Sequence, residues 1–292
     1  MMRHLLLGTD WGEDCDDAVA VRYVCRKHKA GEVELCGIGI NTRFDESIPS
    51  MMAFLEGEGV SVPVGIDRTC PELHGRITYQ KGLAARRPDL CNDVASDAVR
   101  LYRRLMAEAK EPIEIMEIGF LQVIAAVLES GADDISPLSG IALFCEKVAH
   151  VWVMGGRWDV DGGKEYNFSR DAAACRAAAT LAEKCPVPIT FLGWEVGATV
   201  ITGSKLPEGD LLRTVLTDYG SPKGRMSWDP MLVQLAVIGD PKKAGYTAVR
   251  GTASVDPETG VNHFAVGEGR HRYVIKVRED AFYAEEIDAS IG

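Results

Sequence analysis

His4-Leu5-Leu6-Leu7-Gly8-Thr9-Asp10-Trp11-Gly12-Glu13-Asp14-Cys15-Asp16-Asp17-Ala18-Val19 joins a short apolar run to a helical pattern through a loop with five carboxylates in eight positions. The run over residues 4–7 reads as a buried strand and residues 18–29 as a helix, so the acidic loop sits at a strand end. Outward from it the same alternation repeats. Strands are expected over 33–40, 62–66, 113–118, 150–154 and 187–192, and helices over 48–56, 96–110, 121–130 and 171–184. Short β-rich runs alternating with longer helical patterns predict an α/β fold: an open, mostly parallel, Rossmann-like sheet with flanking helices. Past residue 195 the alternation fades into Gly- and Pro-punctuated segments, with a helix expected over 230–237 and a strand over 273–277. No low-complexity linker or repeat divides the chain, so residues 1–292 read as one domain with a less regular C-terminal part.

Composition narrows the function classes. The 292 residues carry 43 acids against 32 Lys and Arg, a net charge of −11. Binding to phosphate backbones or anionic lipid draws on clustered cations, so nucleic acid and membrane surfaces are not expected partners. The Arg86-Arg87 and Arg103-Arg104 pairs read as solvated helix or loop charges. No apolar run reaches the roughly 18 to 20 residues of a spanning helix, and three leucines before Gly8 are too short for a secretory signal. The eight cysteines are scattered without a CxxC pair. They read as reduced thiols of a cytoplasmic protein.

In an open α/β sheet, ligands bind at the carboxyl ends of strands. Two readings of the acidic loop stand. Asp at a helix N-terminus caps free N–H groups, which accounts for Asp16 or Asp17. It does not account for Asp10 as well, and crowded carboxylates repel unless a hard cation or shared protons offset them.

These residues resemble the N-terminal signature of the inosine-uridine preferring nucleoside hydrolase family, in which a strand leads into D-x-D-x-G, a spacer, then D-D-A and a helix. Asp10, Gly12, Asp16, Asp17 and Ala18 fall on that pattern, while Gly8 replaces the first Asp and Trp11 the common Pro. Later segments agree in order. Gly39-Ile40-Asn41-Thr42 is similar to the family's Gly-Asn turn, and Ile118-Gly119-Phe120-Leu121-Gln122 stands where the family has Gly-Pro-Leu-Thr-Asn. Val153-Met154-Gly155-Gly156 and Glu165-Tyr166-Asn167 are similar to its Met-Gly-Gly and Glu-Phe-Asn elements. Ser227-Trp228-Asp229-Pro230 resembles its His-Asp-Pro segment with Trp for His.

The resemblance implies a Ca²⁺ site of Asp10, Asp17, Asp229 and the carbonyl of Gln122, and a ribose site of Asp16, Asn41, Glu165 and Asn167. It implies Ca²⁺-dependent hydrolysis of the N-glycosidic bond of a ribonucleoside to ribose and free base, with Asp10 as base for the metal-bound water, and a role in purine or pyrimidine salvage. A homodimer or homotetramer is also what the family would imply. An oxygen-only ligand set suits calcium by hardness. Trp228 stands where a His would protonate the leaving base, and an indole N–H is too weak an acid for that. Trp228, with Trp11 or Trp158, would then stack on the base, or Trp228 packs beneath the metal loop. His74 stands where the family has a His-Gly turn and reads either as lining the site or as a surface His. Glu195 either enters the pocket or caps a loop. The alternative function is a nucleoside hydrolase-like protein that binds a ribosyl ligand with little turnover.

Overall fold

The run Arg3–Thr9 is buried from Leu5 onward on both sides, as a central parallel strand requires. In the computed structural model, which describes residues 2–70, 72–74 and 79–292, this run is β1. Its alternate side chains feed two cores, Leu5 and Leu7 one face and Leu6 the other.

From β1 the chain runs through α1 (Asp16–Lys29), β2 (Val33–Ile40), α2 (Ser47–Glu58), β3 (Val64–Ile66), α3 (Gln80–Ala84), β4 (Ser96–Asp97) and α4 (Ala98–Glu108). It returns to the other side of β1 with β5 (Ile113–Glu117), α5 (Gln122–Glu129), α6 (Gly140–Lys147), β6 (Val148–Met154), α7 (Tyr166–Ser169), α8 (Ala172–Lys184) and β7 (Ile189–Leu192). The last third holds α9 (Trp194–Gly197), β8 (Ile201–Thr202), α10 (Leu211–Tyr219), β9 (Arg225–Met226), α11 (Trp228–Ile238), β10 (Tyr246–Val255), β11 (Asn262–Val266), β12 (His271–Lys276) and α12 (Asp280–Ile291).

The main sheet has the order β11-β10-β12-β7-β6-β5-β1-β2-β3-β4. All neighbours from β12 through β4 pair parallel, and β10 runs antiparallel to both β12 and β11. The α/β reading therefore holds. Beyond the expected helix, found in α11, and the expected strand, found as β12, the C-terminal part supplies β10 and β11, which extend the sheet past β12. Strand β10 is exposed at alternate positions and broken by Gly251, so its sequence lacks the continuous apolar run of an inner strand.

The structure adds α3, α6 and α7 to the expected helices, and it differs from the sequence reading at two further points. The expected helix over 96–110 opens with two strand residues, and Asp97 then caps α4 by accepting from the Arg100 N–H at 3.0 Å. Arg103 is not a solvated charge: it is 1% exposed, paired with Asp133 at 2.8 Å and Ser130 Oγ at 2.6 Å. Its guanidinium satisfies the loop after α5, an arrangement that no helical periodicity reveals.

Candidate functional site

The chain order around β1 decides where a site can form. The segments through β4 build outward on one side of β1, and β5 starts the other, so the connections leaving β1 and β5 diverge above their carboxyl ends. That is the switch point at which α/β sheets open a crevice. Asp10 is the first residue beyond β1. A Cβ on Gly119, in the loop after β5, would overlap the Asp10 main-chain nitrogen, so only glycine lets the two loops meet.

Asp16 and Asp17 open α1, and Asp229 lies in the first turn of α11, which packs along α1. Asp16 joins the two helix starts: its Oδ2 accepts from the N–H groups of Trp228 (3.1 Å) and Asp229 (3.2 Å), donors a helix start leaves free. Asp10, Asp17 and Asp229 each offer a carboxylate oxygen, all within 4.8 Å of one another and all buried. Thr9 Oγ1 donates to Asp17 Oδ1, while Asp17 Oδ2 has no hydrogen-bond partner among the described residues.

Burial, then the charges of Glu13 and Asp14, pushes the Asp10 carboxyl up to about 8. Burial also drives Asp16, Asp17 and Asp229 well above the ordinary carboxylate range, with their mutual repulsion adding to it. So close a set holds either protons or a cation. An all-oxygen donor set with an unpartnered buried oxygen fits a hard divalent ion.

These acids form the floor of a cavity of about 300 Å³. Glu165 and Asn167 form part of its wall. Glu165 accepts from the N–H groups of Gly156 (3.1 Å) and Asn167 (2.9 Å), and burial raises its carboxyl to about 7. Asn167 Nδ2 donates to the carbonyl of Met154 at 3.2 Å, which ties α7 to the end of β6. Trp228 lines the cavity, but its indole N–H already donates to the Trp194 carbonyl at 2.7 Å, and the two rings stack at 6.5 Å.

Other expected residues fall nearby or elsewhere. Asn41 is buried and does not line this cavity; its Oδ1 accepts from the Phe120 N–H at 3.2 Å and braces the β5 loop. Gln122 opens α5, with its side chain in a separate small cavity beside Asp67 and Arg170. His74 does not line the acid cavity. It is exposed and pairs with Asp45 at 2.7 Å and Glu72 at 3.3 Å, while Gly75 of the same turn lies outside the described residues. Trp11 is 0% exposed, donates to Ser50 Oγ at 2.8 Å and packs on Phe54 and Tyr79. Trp158 is packed among Phe191, Phe264 and Tyr273. Neither of the two lines the acid cavity. Glu195 caps a loop, accepting from the Trp158 N–H at 3.2 Å.

The structure adds lining residues that motif reading passed over: Asp14, Tyr166, Trp194, Tyr219 and Arg225. Asp14 pairs with Arg225, Nε to Oδ1 at 2.9 Å and Nη2 to Oδ2. A larger cavity of about 830 Å³ lies between α8 and β10, but Glu183 is the one acid among its described lining residues, so volume alone does not locate the chemistry.

The geometry beside Gly8 accounts for its departure from the D-x-D pattern. A Cβ there would overlap Oε2 of Glu117, the last residue of β5, whose Oε1 accepts from Tyr102 at 3.1 Å. A carboxylate from the neighbouring strand thus stands beside the position where the pattern has its first Asp. An acid inside the apolar run Ile113–Glu117 was the available signal.

The sequence profile of the inosine-uridine preferring nucleoside hydrolases matches residues 5–268. The chain belongs to this family. The family's members hydrolyse the N-glycosidic bond of ribonucleosides and depend on a metal, which places this nucleoside hydrolase family member among N-glycosyl hydrolases acting on small nucleosides. No curated protein matches it at the sequence level. In structure it is similar to an inosine-uridine preferring nucleoside hydrolase from Bacillus anthracis, with 15% identity, TM-score 0.72, and 99% and 100% of the two chains covered. An inosine-guanosine nucleoside hydrolase follows at 14% identity and TM-score 0.70, covering 99% and 98%. The type III effector protein XopQ, complexed with adenosine diphosphate ribose, shares 15% identity at TM-score 0.69, covering 100% and 95%. At these identities the likeness speaks for the fold. Among the described residues no helix is long and apolar enough to cross a membrane.

Proposed function

We propose that this chain is a calcium-dependent ribonucleoside hydrolase, releasing ribose and free base. The observation that carries the reading is the convergence of Asp10, Asp17 and Asp229 within 4.8 Å at the switch point. Together with the main-chain carbonyl of Gln122 they would hold a Ca²⁺ ion, whose charge when bound offsets the carboxylates and orients the sugar hydroxyls.

Asp10 accepts the proton of the water that attacks the anomeric carbon, and the C–N bond breaks with its electron pair leaving on the base. Asp16, fixed through Oδ2 by the α11 N–H groups, presents its other oxygen to a ribose hydroxyl. Glu165 and Asn167, each held by main-chain partners, orient the sugar from the opposite wall, with Asn41 bracing the β5 loop. His74, being outside the cavity, has no assigned part. One continuous ten-stranded sheet supports a single domain over residues 1–292, and eight unpaired cysteines support a reducing, cytoplasmic setting.

A second reading, ribosyl-ligand binding with little turnover, draws on the Trp228 indole being committed to Trp194 and on the similarity to XopQ. Free ribose measured over a nucleoside panel, with and without a calcium chelator, separates the two. Chelator-sensitive ribose release is the expected result. Calcium and ribose binding without release from any nucleoside would leave only the binding reading.

A further inference from the structure

The proposed hydrolysis requires that the departing base, which takes the bonding electrons, be stabilised. Trp228 has no acidic proton for that task and its N–H is occupied. The Tyr219 hydroxyl, also on the cavity wall, already donates to the Glu13 carbonyl at 3.2 Å. Asn167 Nδ2 is committed to main-chain carbonyls. Among the described residues lining the cavity, Arg225 is the one cation.

Its placement is built rather than incidental. Arg225 sits on β9, whose register partner is Thr202 of β8, and β9 leads directly into α11 and Asp229. Nε and Nη2 are both taken by Asp14, which fixes the plane of the guanidinium. The group also lies 5.6 Å from the Tyr219 ring centroid and 5.7 Å from that of Trp228. Nη1 is left with no protein partner among the described residues. A half-buried guanidinium locked by three neighbours, with one nitrogen free, is a preorganised donor.

We propose that Arg225 is the group that stabilises the leaving base, an inference that rests on the hydrolase reading. As water adds its oxygen to the anomeric carbon and the C–N bond breaks, the base carries the electron pair away as an anion or near-anion. Nη1 donates hydrogen bonds to it while Arg225 keeps its own protons. Asp10 takes one proton from the attacking water, the base later takes one from solvent, and Asp10 returns its proton to solvent, so the balance is nucleoside plus water to ribose plus neutral base. Catalysis by a charged donor in place of a proton donor explains how a site with Trp228 at the His position functions.

The test compares Arg225→Met with wild type on inosine and uridine, whose bases leave as poorly stabilised anions, and on p-nitrophenyl β-D-ribofuranoside, whose phenolate needs no help. Loss of one preorganised donor is expected to lower kcat/KM on the nucleosides about 100-fold, mainly through kcat. The p-nitrophenyl riboside is expected to fall no more than about threefold. Equal losses on both substrates would overturn the proposal, as would an undiminished nucleoside rate. With inosine 5′-monophosphate as a fourth substrate, a loss confined to it would overturn the proposal too, by assigning Arg225 to phosphate. Since Arg225→Met leaves Asp14 unpaired, the double variant Asp14→Asn/Arg225→Met serves where the single variant does not fold, and the same split is expected. Wild type that hydrolyses no riboside would refute the hydrolase reading itself, a result distinct from wild type that hydrolyses both and loses both equally.

Discussion

Glu117 offers a measurement of how strongly the fold perturbs a single carboxyl. It is 0% exposed at the end of β5, with Tyr102 as its one hydrogen-bond partner and Oε2 without any among the described residues. Burial raises its carboxyl from the ordinary 4.5 to about 8, against a smaller opposing effect from the Tyr102 hydroxyl. In the unfolded chain it ionises near 4.5, so between these values the folded chain binds the extra proton. Stability from this group is therefore complete below the lower value and is lost as pH rises toward the higher. Each pH unit inside that window removes about 1.4 kcal/mol, and allowing for partial ionisation near pH 8 the loss from pH 6 to pH 8 is about 2–3 kcal/mol. Glu117→Gln keeps the shape and the Tyr102 contact and has no proton to lose. Chemical denaturation of both proteins at pH 6, 7 and 8, with chelator throughout, should show the variant gaining on wild type by that amount. The other buried acids titrate in both proteins and cancel in the difference when they act independently. Parallel stability profiles would refute the reasoning, because they would mean that Glu117 is hydrated or paired in the folded chain.

Three further perturbations address the site and its scaffold. Asp229→Asn removes one of three crowded carboxylates; calcium affinity by calorimetry and ribose release should each fall by more than the roughly 100-fold ceiling for outer partners of a metal ligand, while melting temperature in chelator rises as repulsion is relieved. Wild-type calcium affinity in this variant would show that Asp229 is not a ligand. Trp228→His restores a proton donor at the leaving-group wall, and hydrolysis of nucleosides with poor leaving bases should increase about 10- to 100-fold; an unchanged rate would mean that proton donation from this position does not limit turnover. Arg22, 2% exposed, pairs with Glu58 and Asp210, each at 2.7 Å, so Arg22→Met should cost about 3–5 kcal/mol in urea unfolding. A loss below about 1 kcal/mol would show the two acids to be satisfied without it.

Much of the fold was legible because a parallel strand buried on both faces must be an almost continuous apolar run, as Leu5-Leu6-Leu7 and Val151-Trp152-Val153 are. The acids of the floor were legible for the opposite reason: Asp10, Asp16 and Asp17 cluster in a loop where charge is costly, and Asp229 follows a recognisable turn. Strands β10 and β11 left a weaker trace, since half of their residues face solvent. Arg103 was misread because local pattern reports which face of a helix a residue occupies and not what loop later covers it.

The sequence alone determined the α/β class, the family, and the chemical type of the floor, since these depend on residue type and local spacing. Only the tertiary structure decided which residues share the cavity. Asp14 and Arg225, separated by 211 positions, become a fixed pair. Trp11 and Trp228, both conspicuous as aromatic residues, go respectively to the core and to the cavity wall. Glu117 arrives from β5 beside the side chain that Gly8 lacks. The physical reason is common to all three: burial, partner choice and carboxyl ionisation depend on packing between elements distant in the chain, and local periodicity carries no record of that packing.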